Sequence, residues 1–204
     1  PDAKDTSSIA SNLLNSVLED RSGVIWVSGN GGINRLNRET GRFKHYLTET
    51  FITYLYEDSE ATLWAGTQKG LFRYNQKEDQ FSAFFDPLSE ISSLTVGGII
   101  EDNSKNLWLT SPSAIIKLNP VTGKAFIYGS RFGVNPNSLA PWGHAYKNGK
   151  GELFFGHDNG FYTFSPEELV VKTDLKIIIT DFFINTLTIL PGKESPIQNA
   201  VEDI

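Results

Sequence analysis

Histidine and cysteine, which often act as general bases or metal ligands, are few or absent in this chain of 204 residues. The histidines are His45, His144 and His157, and the absence of cysteine excludes thiolate metal sites. His157 and Asp158 together could suggest a metal site or a general base. They are adjacent in a turn rather than at ligand spacing, however, and no H-E-x-x-H pattern occurs. We therefore predict an ordinary turn here, with no metal ion and no cofactor.

Motifs of enzyme chemistry are also missing. The stretch Gly29–Gly32 (GNGG) is rich in glycine, but it joins two predicted strands, and no Lys-Ser or Lys-Thr pair and no helix follows it. It therefore lacks the features of a phosphate-binding loop. The nucleophile motif G-x-S-x-G does not occur. We predict that this chain is not itself an enzyme.

The composition indicates the fold class and excludes some functions. Aromatic residues make up 12% of the chain and 18 residues are glycine, which favours an all-β fold with many turns. The net charge is −6 and lysine and arginine are not clustered, so this region is not expected to bind nucleic acid. No apolar run approaches the ~20 residues that span a bilayer. The chain also lacks a signal peptide and an initiating methionine, so we expect an internal piece of a longer protein.

A repeat in the sequence predicts the strands and turns that position these side chains. An acid precedes an indole by six residues in three places, and an Asn–Phe pair has the same spacing in a fourth. The four units start 38, 44 and 46 residues apart, which is the spacing of β-propeller blades. The units cover about residues 12–46, 54–85, 98–128 and 144–165. The repeat residues are Asp20, Asp58, Asp102, Trp26, Trp64, Trp108, Gly32, Gly70 and Gly160.

Each repeat position has a predicted structural role. The acid accepts a hydrogen bond from the backbone two residues on and fixes the first hairpin of a four-stranded blade. The indole fills the space between neighbouring sheets, and the glycine allows positive φ in the second turn. We therefore predict an all-β, incomplete propeller of about four four-stranded antiparallel blades over residues 1–170. Ser165-Pro166-Glu167-Glu168 predicts one or two helical turns near its end. A domain boundary is predicted near residue 170, and residues 171–204 are predicted to be the truncated start of a second domain, in which residues 175–190 form a β-rich stretch off the repeat.

The repeat resembles the regulator-propeller repeats of bacterial hybrid two-component sensor kinases, particularly those of Bacteroides-type gut bacteria. The pattern E-D-x-x-x-x-[IL]-W followed by G-[IL]-x-R-[LY]-N carries the resemblance. Residues 179–185 (ITDFFIN) are similar to the opening of the triple-tyrosine β-sandwich that joins such propellers to the membrane. Ala114 replaces the turn glycine of the third unit, and Lys147, Asn148 and Phe154 replace the acid pair and indole of the fourth.

The resemblance implies part of a periplasmic sensor in a membrane-anchored, glycan-responsive signalling protein, with an oligosaccharide as a possible ligand. In a propeller, the loop entering each blade lies on the same face as the turn between its second and third strands. Trp142 lies off the repeat register in the longest of these loops, and an indole beside polar side chains suits a sugar ring. It could instead only anchor its loop. The candidate ligand-binding residues are Trp142, His144, Arg131, Asn135, His157 and Asp158.

Two other functions remain open from the sequence. The blades could form a dimerisation or protein-interaction module without a ligand of its own. A carbohydrate-active propeller enzyme is a further alternative, although the clustered arginines of a sialidase are missing, since only Arg131 follows Arg73. Because blades cut from a larger ring leave unpaired edges and an uncovered sheet face, we also expect self-association.

Overall fold

Four small antiparallel sheets follow one another along the chain. The computed structural model describes residues 2, 5–85, 89, 91–140 and 144–169, and the backbone of residues 183–184 and 187–188. The chain divides into two compact units, Pro1–Glu168 and Leu169–Ile204. The four sheets belong to the first unit, and each is a blade in which strands consecutive in the chain are neighbours.

The first two blades each contain four strands. Blade 1 consists of β1 (Leu14–Glu19), β2 (Ile25–Gly29), β3 (Gly32–Leu36) and β4 (Phe43–Tyr46). Blade 2 consists of β5 (Ile52–Glu57), β6 (Leu63–Thr67), β7 (Gly70–Asn75) and β8 (Gln80–Ala83).

The third blade repeats this pattern and the fourth has three strands. Blade 3 consists of β9 (Ile99–Glu101), β10 (Leu107–Ser111), β11 (Ala114–Leu118) and β12 (Ala125–Tyr128). Blade 4 consists of β13 (Ala145–Lys147), β14 (Leu153–His157) and β15 (Gly160–Phe164). In the second unit, β16 (Phe183–Ile184) pairs with β17 (Leu187–Thr188).

This arrangement confirms the predicted all-β fold of propeller blades. The one short helical element in the described residues is a 3₁₀ turn at Ser130–Phe132. Where one or two helical turns were predicted, residues 166–168 form a single hydrogen-bonded turn, in which the Glu168 N–H donates to the Ser165 carbonyl oxygen at 3.0 Å. The predicted sandwich stretch 171–204 lies outside the described residues except for β16 and β17.

The hydrophobic core lies between blades, since a thin sheet cannot bury both faces by itself. Trp26, Trp64 and Trp108 are only 2%, 1% and 0% exposed. The Trp26 ring of blade 1 lies 5.0 Å from the Tyr74 ring of blade 2, measured between centroids. Trp64 of blade 2 shares a core with side chains of blade 3, and the Trp108 ring of blade 3 lies 4.9 Å from the Phe164 ring of blade 4. Each indole therefore packs on the blade that follows its own.

Candidate functional site

The six-residue spacing of acid and indole reflects a direct hydrogen bond. Oδ2 of Asp20 accepts the indole N–H of Trp26 at 2.7 Å. Oδ1 of the same carboxylate accepts the backbone N–H groups of Ser22 at 3.0 Å and Val24 at 2.9 Å. Burial alone would raise the pKa of Asp20, but the hydrogen bonds from Ser22, Trp26 and Val24 outweigh burial and lower this pKa.

The same geometry recurs in the next two blades. The Trp64 indole donates to Asp58 and the Trp108 indole donates to Asp102, each at 2.8 Å. Oδ1 of Asp58 and of Asp102 again accepts the backbone N–H groups two and four residues on, at 2.8–2.9 Å. Both side chains are buried. Because both oxygens of each carboxylate are held in structural bonds, these acids are poorly placed to act as catalytic bases.

In blade 4 both the acid and the indole are replaced, by Asn148 and Phe154 respectively. Oδ1 of Asn148 accepts the backbone N–H groups of Lys150 at 2.9 Å and Glu152 at 3.0 Å, so the turn is kept. Phe154 has no N–H to donate, and Asn148 has an amide N–H₂ where Asp has its second oxygen. That amide donates to the Glu152 carboxylate instead. The two departures from the repeat are therefore chemically matched.

A second carboxylate joins blades 2 and 3 each to the blade before it. Glu57 of blade 2 accepts the backbone N–H of Arg21, in the first turn of blade 1, at 3.1 Å. Glu101 of blade 3 accepts the backbone N–H and the hydroxyl of Ser59 in blade 2, both at 2.8 Å. The glutamates of the second and third E-D pairs thus link blades, whereas Glu19 of the first pair bonds Arg38 of its own blade.

A polar cluster centred on Asp79 also spans blades 1 and 2. Its Oδ1 accepts hydrogen bonds from Arg35 at 3.0 Å and from the hydroxyls of Tyr46 at 2.7 Å and Tyr74 at 2.5 Å. Lys44 pairs with its other oxygen. Burial opposes ionisation, but the hydrogen bonds from Lys44 and the two tyrosines and the charge of Arg35 hold the pKa of Asp79 well below its usual range.

The long loops that enter the blades lie against the turns between second and third strands. The Leu139 N–H, in the loop entering blade 4, donates to the Pro112 carbonyl oxygen of the turn in blade 3 at 3.4 Å. In blade 2, Gly70 has φ 100°, and a Cβ there would lie 2.4 Å from the Ser92 carbonyl oxygen of the loop entering blade 3. In blade 3, Ala114 occupies the glycine position and is not among the residues with positive φ.

Part of the predicted binding set converges on Tyr162. The Asn135 N–H donates to the Tyr162 hydroxyl at 2.9 Å, and the Ser138 hydroxyl lies 3.2 Å from the same oxygen. The His157 and Tyr162 ring centroids are 4.6 Å apart. The Asp158 N–H donates to the Ser138 carbonyl oxygen at 3.1 Å, and the residue itself is exposed. Asn135, His157 and Asp158 therefore lie together, beside two residues that the sequence did not single out.

The other predicted binding residues lie elsewhere or outside the described chain. Arg131 is exposed in the 3₁₀ turn. His144 lines an open depression of about 340 Å³ on blade 4, together with Ala145, Tyr146, Phe154, Gly156 and Phe161. Trp142 lies outside the described residues. The third histidine, His45, lies in β4, where its ring nitrogens contact Asn34 Oδ1 and the Thr6 carbonyl oxygen, each at 2.8 Å.

The part of the chain that the structure describes has neither a metal cluster nor a membrane-spanning helix. Its residues contain no group of three or more histidine, aspartate or glutamate side chains placed to hold a metal ion. None of the helical structure in that part is long and apolar enough to cross a membrane.

The fold and the acid–indole turns define a β-propeller whose blades are held by Asp–Trp hydrogen bonds. No family model matches the chain. Histidine kinase P4 of Formosa agariphila is 31% identical over 202 residues, covering 93% of this chain and 15% of that protein. The chain therefore spans about a seventh of the curated relative that it matches.

Solved structures show the same fold at lower identity. The extracellular domain of the hybrid two component system BT3049 from B. thetaiotaomicron has a TM-score of 0.70 at 18% identity, covering 95% of this chain and 28% of that one. The extracellular domain of the hybrid two component system BT4673 from the same organism has a TM-score of 0.66 at 23% identity. This match covers 78% of this chain and 24% of that one. A streptogramin B lyase has a TM-score of 0.61 at 18% identity, and the match covers 78% of this chain and 54% of the lyase chain.

These comparisons confirm the predicted resemblance to the propellers of hybrid two-component systems. They do not extend it to the triple-tyrosine β-sandwich. The likeness to a lyase means that the fold alone does not separate a sensor from an enzyme.

Proposed function

We propose that this chain is part of the periplasmic sensor region of a membrane-anchored hybrid two-component signalling protein, where it senses an oligosaccharide. The observation that carries the proposal is the 31% identity to a histidine kinase over 93% of the chain. The propeller fold shared with two extracellular domains of hybrid two-component systems supports it. In the whole protein, binding would be relayed across the membrane to the kinase. The chain itself is assigned no reaction.

The cluster around Tyr162 is the proposed sugar site. The His157 and Tyr162 rings, with centroids 4.6 Å apart and planes inclined by 35°, offer an aromatic surface against which the C–H face of a sugar ring can pack. Asp158 and the side chain of Asn135 are exposed beside these rings and can hydrogen-bond to sugar hydroxyls. The site lies where a long loop meets a hairpin turn on a rigid blade, a common location for recognition.

Calorimetric titration of the chain with a panel of neutral and acidic oligosaccharides tests this proposal. We expect measurable heat with at least one glycan. Tyr162→Ala and His157→Ala should each weaken its affinity by about tenfold, which corresponds to about 1.4 kcal/mol. Tyr162→Phe keeps the ring and should lose less affinity than Tyr162→Ala. Val121→Ser, at a residue 92% exposed on another hairpin, is the matched control and should leave affinity unchanged.

Absence of heat with every glycan tested, on both this chain and a longer ectodomain, would contradict sugar sensing. It would favour an interaction module without a ligand of its own. Release of product from a glycan by this chain would favour the carbohydrate-active enzyme instead. Self-association is a separate part of the proposal and is supported by large apolar side chains exposed on blades 1 and 4.

A further inference from the structure

The turn between the second and third strands of blade 4 carries a charged residue where the other blades have none. Asp158 corresponds to Asn30 in blade 1, Gln68 in blade 2 and Pro112 in blade 3. The N–H groups of Asn30, Gln68 and Asp158 each donate to a carbonyl oxygen of the segment that enters the same blade, at 3.1, 3.3 and 3.1 Å. The backbone role of this position is therefore shared between blades, and it does not require the carboxylate of Asp158.

The carboxylate of Asp158 remains available to a ligand. The residue is exposed, and no residue in the described part of the chain donates a hydrogen bond to its side chain. The two segments that form the site around Tyr162, residues 133–140 and 156–162, contain neither lysine nor arginine. The site thus carries a negative charge that no basic residue of these segments offsets.

The His157 ring offers one hydrogen-bond donor to a ligand. Its Nδ1 accepts the backbone N–H of Asn159 at 3.2 Å, so the neutral ring carries its hydrogen on Nε2. Among the described residues, none accepts a hydrogen bond from that Nε2–H. The turn itself therefore selects the tautomer of His157 and leaves the Nε2–H for a ligand.

The hydroxyl of Tyr162, by contrast, is used within the protein. The Ser138 hydroxyl donates its only hydrogen to the Asn135 carbonyl oxygen at 2.7 Å. The 3.2 Å contact between the two hydroxyl oxygens is therefore a bond that Tyr162 donates to Ser138. Tyr162 also accepts the Asn135 N–H at 2.9 Å. Its ring can face a ligand, but its hydroxyl has no hydrogen left to donate.

We propose that the site around Tyr162 selects neutral glycans over those that carry carboxylate or sulfate groups, with Asp158 as the residue that determines this specificity. This inference rests on the proposed function and names the class of sugar. A sugar hydroxyl both donates and accepts, so it suits the acceptor of Asp158 as well as the donor of His157. A carboxylate or sulfate can only accept, and the charge of Asp158 repels it.

Calorimetric titration with matched pairs of oligosaccharides tests this selectivity. Each pair is built from galactose and galacturonic acid, or from glucose and glucuronic acid, so that a carboxylate replaces one hydroxymethyl group in each ring. We expect the neutral member of at least one pair to bind about tenfold or more tightly than its acidic counterpart. Asp158→Asn should weaken binding of the neutral member about tenfold and largely remove the difference within the pair, because both the charged acceptor and the repulsion are lost.

Two further variants serve as controls for this result. Asparagine already occupies the same turn position in blade 1, so Asp158→Asn should not disturb folding. Glu39→Gln, at an exposed residue of blade 1, removes a charge elsewhere and should leave both affinities unchanged. His157→Phe keeps an aromatic ring without an N–H and should lose about as much affinity for the neutral glycan as His157→Ala. Unchanged affinity in His157→Phe would overturn the role of His157 as a donor.

The outcomes separate this inference from sugar sensing itself. An acidic oligosaccharide that binds as tightly as its neutral counterpart would overturn the selectivity and leave sugar sensing intact. A difference within the pair that persists in Asp158→Asn would do the same for the role of Asp158. Absence of heat with every member of every pair would contradict both the sensing and the selectivity.

Discussion

At the scale of single residues, one carboxylate in each of the first three blades performs two tasks. Asp58 fixes the backbone of a tight turn with one oxygen and holds the Trp64 indole with the other. The turn within a blade and the packing between blades are therefore coupled through one side chain. The spacing of six residues is the consequence, because the hairpin places the indole N–H directly over the turn.

A double-mutant cycle on this pair measures the coupling. We expect Asp58→Asn to cost about 1–3 kcal/mol, because it leaves the buried indole N–H of Trp64 facing an amide donor. Trp64→Phe should cost about 2–4 kcal/mol through lost volume and one unmatched carboxylate oxygen. The double variant reproduces the Asn–Phe combination of blade 4 and should be less destabilised than the sum of the two. Urea unfolding followed by circular dichroism gives the three free energies.

The matched control for this cycle is the same exchange made in reverse in blade 4. Phe154→Trp alone should not gain a hydrogen bond from Asn148, whereas Asn148→Asp with Phe154→Trp can form one. Strict additivity in blade 2 would show that the hydrogen bond contributes nothing to the free energy of unfolding.

The Asp79 cluster predicts how stability depends on pH. The pKa of Asp79 is lowered in the folded chain, so its ionised form contributes stability that is complete above its unfolded value of about 3.9. This contribution is lost as the pH falls below that value toward the folded pKa. Asp79→Asn should be less stable than the wild type at neutral pH, and the difference should shrink in acid.

Thermal unfolding at a series of pH values checks this. Glu39→Gln, on an exposed turn, is the control and should follow the wild type throughout. A difference between Asp79→Asn and the wild type that stays constant from neutral pH to acid would contradict the linkage.

At the scale of elements, the turns set where each strand begins and ends. Gly70 is the clearest case, because its φ of 100° and its approach to the Ser92 carbonyl oxygen both exclude a side chain. Gly41 has φ 68° but open space around it, and Gly149 has open space without a positive φ. Gly70 therefore combines steric crowding with a strained backbone angle, Gly41 has the backbone angle alone, and Gly149 has neither.

Alanine at each of the three positions should therefore have graded effects. Gly149→Ala should change the free energy of unfolding by less than about 0.5 kcal/mol, and Gly41→Ala should cost about 1 kcal/mol. Gly70→Ala should cost more than either, about 2–4 kcal/mol, because the loop carrying Ser92 must also move. Equal costs for Gly41→Ala and Gly70→Ala in urea unfolding would show that the loop is not firmly packed on the turn.

Within a blade, strand positions could be predicted from the sequence to within one or two residues. The apolar stretch that follows each acidic turn predicts strands at Val24–Ser28 and Leu63–Gly66, and the structure has β2 (Ile25–Gly29) and β6 (Leu63–Thr67) there. These predictions succeeded because acids and glycines mark the turns locally. The bond from Arg21 to Glu57 was not predictable in this way, because its partners are 36 residues apart in different blades.

The candidate site was predictable only in part for the same reason. Asn135 and Asp158 lie in loops that the repeat identifies, and His157 ends the strand beside one of them. The role of Tyr162 could not be predicted, because the Asn135 N–H that donates to its hydroxyl lies 27 residues away in a loop whose path the sequence does not reveal. His144 was grouped with them because it is near in sequence, but it lies beside Gly156 in the depression lined by Tyr146, Phe154 and Phe161.

At the scale of the whole molecule, the first unit is a row of sheets in which each contacts the next. Blades 1 and 2 share one core and blades 2 and 3 share another. Stability in such an array is a sum of blade and boundary contributions.

The position of the indoles gives this array a built-in spectroscopic readout. Trp26, Trp64 and Trp108 each lie at a different boundary, and each is almost completely shielded from water. A variant that keeps only one of them, with Trp142 also replaced, would report by its fluorescence when that particular boundary opens. Three such variants would therefore show whether the sheets separate together or one after another from an end.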